Sequence, residues 1–515
     1  MLLSRAMERL DPRACYRALQ TRDERFDGRL FVGVTSTGIY CRPVCPAGPA
    51  RFENCRFYAS AAAAQEAGFR PCLRCRPETA PDAGSWRGTS NTVSRGLALI
   101  ADGALDGDRA SVDALAGRLG VGARHLRRLF VQHLGASPVT VAQTRRVLFA
   151  KQLIHDTRLP MTEITLAAGF GSVRRFNETF RQLFRRPPSA LRRKAVTALR
   201  EGSVAATGVT VRLRYRPPYD WPAILSHLRA HAIDGVERAD GNVYSRTVVQ
   251  DGHAGTVEIT HLPDARSLVA TIRVPSVRTL PRIVARIRRL FDLGADVLAI
   301  DAHLAQDPLL APLIAARPGL RTPGAWDGFE VAVRAVLDQH GAAQTGRELA
   351  GRLARACGTP LPPARSGDPG LTHAFPDPEP VARADHAALG IPAPRRAALV
   401  GLARAVLADP SLLQPLSPVE RTVARLRAIG GIGDWTARDI ALRVAGEPDA
   451  FPASDGELLR ATGRSSPAEL RRCAERWRPW RAYAAQHLWA DATARSASEA
   501  PPPATLRIAT SRRSR

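Results

Sequence analysis

Two close pairs of cysteines constrain the start of this chain more than any other feature. Cys41 and Cys45 form the first pair, and Cys72 and Cys75 form the second after a spacer of about 27 residues. Two such pairs can close a tetrahedral four-thiolate zinc site, with Zn–S distances of about 2.3 Å. Cysteines clustered in this way indicate a metal before disulfides in a reducing compartment. A purely structural zinc, or four buried thiols without metal, are the simpler alternatives.

Length and composition set the general class of protein. At roughly 100 to 200 residues per domain, 515 residues predict about three domains. A hydrophobic fraction of 45% and a charged fraction of 24% are typical of globular proteins and exclude wholesale disorder. The sequence has no apolar run of about 18 residues, and its first residues mix charges into apolar positions. We therefore expect neither a membrane span nor a secretory signal. The expected location is the bacterial cytoplasm, in association with the nucleoid.

The charge of the chain favours a polyanion as partner. The formal net charge is +26 and the sequence pI is near 11.1. Residues 86–200 carry 20 basic and 7 acidic side chains, so +13 of that charge lies in less than a quarter of the chain. Nucleic acid is thus the leading partner. The alternative is a solvated basic surface in an arginine-rich proteome.

The residues around the cysteine pairs read GVTSTGIYCRPVCPA, RFENCRFYAS and AGFRPCLRCRPE. They resemble the N-terminal domain of the Ada-type DNA methylation sensors. The resemblance implies that Cys41 accepts a methyl group from a methylphosphotriester in the DNA backbone. Zinc keeps a thiolate unprotonated at neutral pH, and the thiolate is the attacking species. Cys15 and Cys55 lie outside both pairs and are expected to be ordinary cysteines. The implied ligands of one zinc ion are Cys41, Cys45, Cys72 and Cys75.

Two helical units follow in residues 111–133 and 161–184. The first places leucines at helical spacing around a turn at Gly120, which is the helix-turn-helix pattern. One such pattern fits a plain helical hairpin equally well. Two in tandem, joined by a long helix at 138–156 and ending in AAGFGSVRRFNETFRQLFRRPPSALR, resemble the AraC-type DNA-binding domain. The arginines expected to face DNA are Arg124, Arg127 and Arg128 in the first unit and Arg174 and Arg175 in the second.

A third motif lies in residues 417–446, where two predicted helices flank IGGIGD. Gly431 and Gly433 would let backbone N–H groups approach a phosphate at a helix N-terminus. This is the helix-hairpin-helix pattern, which alone indicates non-specific DNA binding. Asp455 follows Trp435 by twenty residues and stands near a predicted helix start. An aspartate at such a position is most often an N-cap.

Four segments of the C-terminal half resemble the AlkA-type alkylpurine DNA glycosylases. They are RYRPPYDWPAIL at 214–225, RPGLRTPGAWDGFEVAVRAVLDQ at 317–339, GGIGDWTA, and RRCAERWRPWRAYAAQHLW at 471–489. The resemblance implies an antiparallel-sheet subdomain beside a helical domain, and an enzyme that flips a damaged nucleotide out of the duplex and hydrolyses its N-glycosidic bond.

The AlkA-type resemblance also assigns individual residues. Asp455 falls on the catalytic aspartate, and Trp435, Trp489 and Gln339 fall on positions that bind the damaged base. Bifunctional relatives carry a Schiff-base lysine where this chain has Trp435, so a monofunctional hydrolase is implied. Two residues depart from the pattern. Asp439 replaces an expected tyrosine of the pocket wall, and His340 replaces a bulky apolar wedge.

These predictions combine into a multidomain fold that is mainly α with α+β parts. The expected function is a DNA alkylation-response protein that senses methylphosphotriesters as a transcription regulator and excises alkylated purines of the 3-methyladenine type. The alternative is a methylation-responsive activator whose glycosylase-like half only binds DNA. An O6-alkylguanine transferase is excluded because no PCHR motif occurs beyond residue 85.

The expected partners are double-stranded DNA, as operator and as alkylated substrate, and RNA polymerase. The expected domains are a zinc methyl-acceptor domain (1–85), a tandem helix-turn-helix domain (86–200), an antiparallel-sheet subdomain (205–295), a helix-hairpin-helix glycosylase domain (296–495) and a disordered tail (496–515).

We expect the purified chain to bind one zinc ion, because only four of its cysteines form two close pairs. Metal analysis of the wild type and of a Cys72→Ala, Cys75→Ala double variant tests this. The variant should lose the zinc, and full zinc stoichiometry in it would assign the metal to other residues.

Overall fold

The computed structural model describes residues 11–81, 91–107, 111–192, 208–250, 252–339, 343–362, 368–415 and 419–499. His340, and residues 500–515 of the predicted tail, lie outside these ranges. Over the described ranges, no helix combines the length and the apolar character that a membrane span requires.

The N-terminal region is a small mixed sheet with two helices. Strands β1 and β3 are antiparallel, β1 and β2 are antiparallel, and β2 and β4 are parallel, in the order β3-β1-β2-β4. Asp11 caps the first helix, because its carboxylate accepts hydrogen bonds from the N–H groups of Arg13 and Ala14. The elements are α1 (Pro12–Gln20), β1 (Phe31–Val34), β2 (Ile39–Cys41), β3 (Cys55–Tyr58), α2 (Ala61–Glu66) and β4 (Arg70–Pro71).

The predicted tandem helix-turn-helix region contains six helices in its described residues, 91–107 and 111–192. Ser111 caps the first helix of the first unit by accepting a hydrogen bond from the N–H of Ala114 at 3.0 Å. Gly120 ends that helix in the left-handed conformation, with φ +72°. The long joining helix has the predicted bounds. The helices are α3 (Asn91–Ala101), α4 (Val112–Leu119), α5 (Ala123–Leu134), α6 (Pro138–Asp156), α7 (Met161–Ala167) and α8 (Val173–Phe184).

A five-stranded sheet opens the C-terminal half. All its pairings are antiparallel and its order is β5-β9-β8-β7-β6, which confirms the predicted antiparallel-sheet subdomain. Helix α9 packs against β6 and β7. The elements are β5 (Val209–Arg214), α9 (Trp221–His231), β6 (Glu237–Asp240), β7 (Val243–Gln250), β8 (His253–Leu262) and β9 (Ser267–Arg273).

The remainder is helical apart from the short pair β10 (Thr359–Pro360) and β11 (His373–Ala374). Helices α17 and α18 form the predicted helix-hairpin-helix, and they pack on α13 and α16 in one core. The helices are α10 (Leu280–Leu290), α11 (Val297–Leu304), α12 (Ala311–Ala316), α13 (Gly328–Leu337), α14 (Ala343–Cys357), α15 (Pro378–Arg383), α16 (Ala393–Ala408), α17 (Val419–Arg427), α18 (Asp434–Ala445), α19 (Gly456–Thr462), α20 (Pro467–Ala474) and α21 (Arg481–Glu499).

The largest hydrophobic core crosses the predicted boundary near residue 200. It begins at Val147 on α6, includes the three phenylalanines of α8, and continues through β5 and α10 to Trp326. Gln152 on α6 also donates a hydrogen bond to the carbonyl of Arg212 on β5 at 2.9 Å. The second helix-turn-helix unit and the sheet subdomain are therefore packed as one body.

We expect Gly169→Ala to destabilise the chain by about 2 to 3 kcal/mol. Gly169 has φ +80°, and a Cβ there would lie 2.7 Å from Cγ of Asp106. Arg145 fixes that carboxylate through a 2.6 Å ion pair, so the carboxylate cannot easily move away. Gly120→Ala is the matched control, because its φ is +72° but no atom lies within 4 Å of the added Cβ. It should cost about 1 kcal/mol. Urea denaturation compares the two variants, and equal losses would contradict the role given to Asp106.

Candidate metal centre and active-site cleft

Parallel pairing of β2 with β4 brings the two cysteine pairs together. Cys41 is the last residue of β2, and Cys72 directly follows β4, with Tyr40 opposite Pro71. The sulfur atoms of Cys41, Cys45, Cys72 and Cys75 all lie within 4.8 Å of one another. Tetrahedral zinc with Zn–S bonds of about 2.3 Å needs sulfur atoms about 3.8 Å apart. The four residues therefore fit one zinc ion.

Backbone N–H groups support the sulfur atoms, and one cysteine is more accessible than the others. The N–H of Arg42 donates to Sγ of Cys75 and the N–H of Arg74 donates to Sγ of Cys72, both at 3.3 Å. Such hydrogen bonds stabilise the thiolate form of a metal ligand. Cys45, Cys72 and Cys75 are buried, whereas Cys41 is partly exposed. Cys41 is thus the ligand that an incoming group can reach.

The two N-terminal cysteines outside the pairs, Cys15 and Cys55, belong to a separate hydrophobic core. Cys15 and Cys55 are both buried there at 4% exposure. Burial, with a smaller contribution from Asp11, raises the pKa of Cys15 to about 11. Burial also raises the pKa of Cys55. Both are neutral thiols, in agreement with the sequence prediction.

Arg42 is a functional residue that sequence reasoning missed. Its guanidinium forms a buried ion pair with Asp27, with Nε 2.7 Å from Oδ1, and also donates to the carbonyl of Cys75 at 3.0 Å. Asp27 in turn accepts, at its backbone carbonyl, a 2.9 Å hydrogen bond from Arg216 of the C-terminal half. In the sequence, the one indication of this role was that Arg42 directly follows Cys41 in YCRPVC. Its partner Asp27, and Arg216 beyond it, are distant in sequence.

The predicted DNA-facing arginines lie on the exposed side of helices α5 and α8. On the opposite side, Leu126, Phe130, Phe176 and Phe180 are fully buried, so the phenylalanines belong to the core. Arg174 forms an exposed ion pair with Glu178 one turn later. All five predicted arginines are exposed, namely Arg124, Arg127, Arg128, Arg174 and Arg175.

The hairpin between α17 and α18 presents open backbone. Gly431 has φ +87° and lies close to Cβ of Ala398, so only glycine fits without strain. Gly433 is the N-cap of α18, and no side chain caps this helix end. Both glycines are exposed. Gln339 supports the hairpin from inside, because its amide Nε2 donates to the carbonyl of Gly431 at 3.3 Å and to Thr436 Oγ1 at 2.8 Å.

Asp455 caps helix α19 with one carboxylate oxygen. Its Oδ1 accepts a hydrogen bond from the N–H of Leu458 at 2.9 Å and another from the indole Nε1 of Trp489 at 3.2 Å. Among the residues that the structure describes, none donates to Oδ2, and the side chain is partly exposed. Capping therefore occupies one oxygen and leaves the other for a ligand.

Asp455 and both predicted tryptophans line one large cleft, and Trp489 also contacts Asp455 directly. Trp435 and Trp489 line it with Asp439 and Asp455, and Trp435 is 51% exposed. Asp439 lies one turn after Trp435 on α18 and accepts a hydrogen bond from Arg443 Nε at 2.8 Å. Gln339 does not line the cleft; its amide contacts Thr436, the residue after Trp435. The cleft extends to the helix-turn-helix region, where Arg145 lines it.

Three family profiles match the sequence. The metal binding domain of Ada matches residues 14–78, a helix-turn-helix domain matches residues 115–194, and the AlkA N-terminal domain matches residues 210–327.

Three curated relatives cover different parts of the chain. A Mycobacterium tuberculosis protein described as a probable bifunctional transcriptional activator/DNA repair enzyme AlkA is 42% identical over 92% of this chain and 95% of its own length. DNA-3-methyladenine glycosylase 2 of Escherichia coli is 35% identical over 54% of this chain and 95% of its own. The bifunctional transcriptional activator/DNA repair enzyme Ada of Escherichia coli is 33% identical over 30% of this chain and 42% of its own.

Proposed function

The chain belongs to the family of bifunctional transcriptional activator/DNA repair enzymes that join an Ada-type regulatory half to an AlkA-type glycosylase half, and we propose that it senses methylphosphotriesters in DNA and excises alkylated purines. One observation carries this proposal. A single chain holds a four-sulfur centre with one accessible cysteine and a cleft in which Asp455 keeps one oxygen free. The domain boundaries given above are part of the same proposal.

Methyl transfer is assigned to Cys41. Bound zinc keeps the four cysteines as thiolates at neutral pH. The Cys41 sulfur attacks the methyl carbon of a methylphosphotriester, so an S–C bond forms, the C–O bond breaks, and an ordinary phosphodiester anion leaves. The partial exposure of Cys41 supports this choice over the three buried ligands. The thioether product is stable, so each chain transfers one methyl group.

Methylation would also act as a switch for DNA affinity. Four thiolates around Zn²⁺ carry a formal charge of −2, and methylation of one lowers this to −1. Repulsion from DNA phosphates then falls, and the five predicted DNA-facing arginines of α5 and α8 bind an operator more tightly. RNA polymerase is the proposed protein partner at the promoter that contains this operator.

We expect methylphosphotriester DNA to add one methyl group, on Cys41, and operator affinity to rise afterwards. The gain should shrink as salt rises, because salt screens the charge effect. Peptide mass mapping locates the methyl group, and titration of operator DNA at two salt concentrations measures the gain. Cys55→Ala is the matched control, since Cys55 is a buried thiol outside the centre, and it should behave as wild type. A methyl group on Cys45, or unchanged affinity after transfer, would refute the corresponding step.

Base excision is assigned to the cleft around Asp455. A flipped purine would lie against Trp435 and Trp489, whose electron-rich faces favour cationic bases such as 3-methyladenine. As the N-glycosidic bond breaks, the free Oδ2 of Asp455 stabilises positive charge on the sugar and orients the water that adds to it. Trp435 occupies the place of a Schiff-base lysine, so the reaction ends at the abasic site. This geometry favours an enzyme over a half that only binds DNA.

We expect Asp455→Asn to reduce excision of alkylated purines at least about a hundredfold, while duplex affinity stays nearly constant. The asparagine oxygen can keep both hydrogen bonds of Oδ1, from Leu458 and Trp489, so the helix cap survives. Only the negative charge at the second position is lost. Single-turnover excision and duplex affinity are the measurements.

Asp220→Asn is the matched control for the Asp455 experiment. Asp220 caps α9 by accepting from the N–H of Ala223 at 3.0 Å and does not line the cleft. The control should excise as wild type does. Wild-type excision by Asp455→Asn would reduce Asp455 to a cap and favour the DNA-binding alternative.

A further inference from the structure

Lys151 is a fully buried lysine that connects the helix-turn-helix region to the four-cysteine centre. The chain has only two lysines, and Lys151 lies on α6, the helix that joins the two units. Its Nζ donates to the backbone carbonyl of the zinc ligand Cys72 at 2.8 Å and pairs with Oε2 of Glu78 at 2.6 Å. Both side chains of the pair have at most 1% exposure. A charge is buried at this depth only when it is fully paired.

The pair belongs to a chain of alternating charges. Oε1 of Glu78 accepts from Arg76 Nε at 3.0 Å, and the guanidinium of Arg76 reaches Asp156, the last residue of α6, at 2.8 Å. Two cations and two carboxylates therefore fasten the segment after Cys75 to the C-terminal end of α6.

The opposite end of α6 is fastened to the same domain. Ser60 Oγ donates to the carbonyl of Leu134 at 2.7 Å, and the N–H of Ser137 donates to Glu66 at 3.0 Å. Gly135 lies between them, where a Cβ would come within 3.0 Å of Ala63. The zinc-binding domain thus holds α6 at both ends.

The position of α6 determines how the two DNA-binding units are arranged. Helix α5 precedes it and α8 follows it, so a shift of α6 changes the separation of the two arginine-bearing helices. On the zinc-binding domain, Lys151 contacts the carbonyl of the ligand Cys72. Cys72 begins the turn that ends at Cys75, and a turn between two zinc ligands is ordered by the metal. Metal binding can therefore affect the position of α6 through the side chain of Lys151.

We propose that Lys151 is the positioning residue through which the zinc centre fixes α6, so that zinc occupancy sets the DNA affinity of both helix-turn-helix units. The inference rests on the proposed DNA-binding role of those units. It assigns to zinc a second task beside activation of Cys41, namely orientation of the DNA-binding helices.

The test compares the zinc response of the full chain in three forms: wild type, Lys151→Met and Leu153→Ala. Leu153 is the matched control, because it is fully buried on the same helix but belongs to the hydrophobic core. Affinity for a mixed-sequence 30-base-pair duplex is measured with zinc, after chelation and after zinc is restored. Hydrogen exchange of the α6 amides is followed in the same samples.

Wild type should lose at least about tenfold in affinity on chelation, and its α6 amides should exchange faster. Lys151→Met should show the weak affinity and fast exchange already with zinc bound, and chelation should change its affinity less than about twofold. Leu153→Ala should keep the tenfold response, and Lys151→Arg should restore part of it. A full zinc response in Lys151→Met, in affinity and in α6 exchange, would overturn the inference.

Two further outcomes keep the test decisive. Lys151→Met leaves the buried Glu78 carboxylate with one cation fewer, and this single variant can fail to fold. In that case a Lys151→Met, Glu78→Met double variant, which removes both buried charges, is used in its place. Failure of wild type to bind the duplex at all would count against the proposed function. The hydrogen-exchange arm then still decides the inference, because zinc-independent exchange of α6 in wild type would refute it.

Discussion

Four cysteine sulfur atoms within 4.8 Å of one another are the constraint on which the regulatory half depends. As thiolates they would repel each other strongly, so a cation among them is required to keep them together. The sheet around them is small, with strands of two to four residues, and its cores contain few side chains. A domain of this size needs metal to remain folded. The contacts made at the ligand turns, such as that of Lys151 with the carbonyl of Cys72, therefore depend on the occupied centre.

The contacts of the zinc-binding domain reach both halves of the protein. On one side Glu78 and Arg76 form ion pairs with Lys151 and Asp156 of α6, and on the other Asp27 accepts a hydrogen bond from Arg216. The carbonyl of Arg216 accepts from Arg321, which also donates to the carbonyl of Asp292. Asp292 accepts a 2.7 Å hydrogen bond from Tyr483 on α21, the helix that carries Trp489. A continuous set of polar contacts thus runs from the four-cysteine centre to the cleft.

Local patterns were readable from the sequence because they are set by neighbouring residues. The cysteine spacing, the Ser111 cap, the long helix at 138–156 and the helix-hairpin-helix all follow from short-range rules. The roles of Lys151 and Arg42 were not readable, because their partners lie on other elements that only the fold brings near. Gln339 illustrates the same limit. The resemblance places it among the base-binding residues, whereas its hydrogen bonds to the carbonyl of Gly431 and the hydroxyl of Thr436 follow from no local pattern.

The shared core determines which experiments can separate the two activities. A fragment that begins near residue 205 would keep β5 but remove α6, α7 and α8, which pack with it in one apolar cluster. The buried residues of β5 would lose the apolar residues of α6 that pack against that strand, and newly exposed apolar surface costs roughly 25 cal/mol per Å². Loss of excision by such a fragment would then report unfolding as much as regulation. Point substitutions in the intact chain keep this core, so they are the valid way to assign chemistry to Cys41 and Asp455.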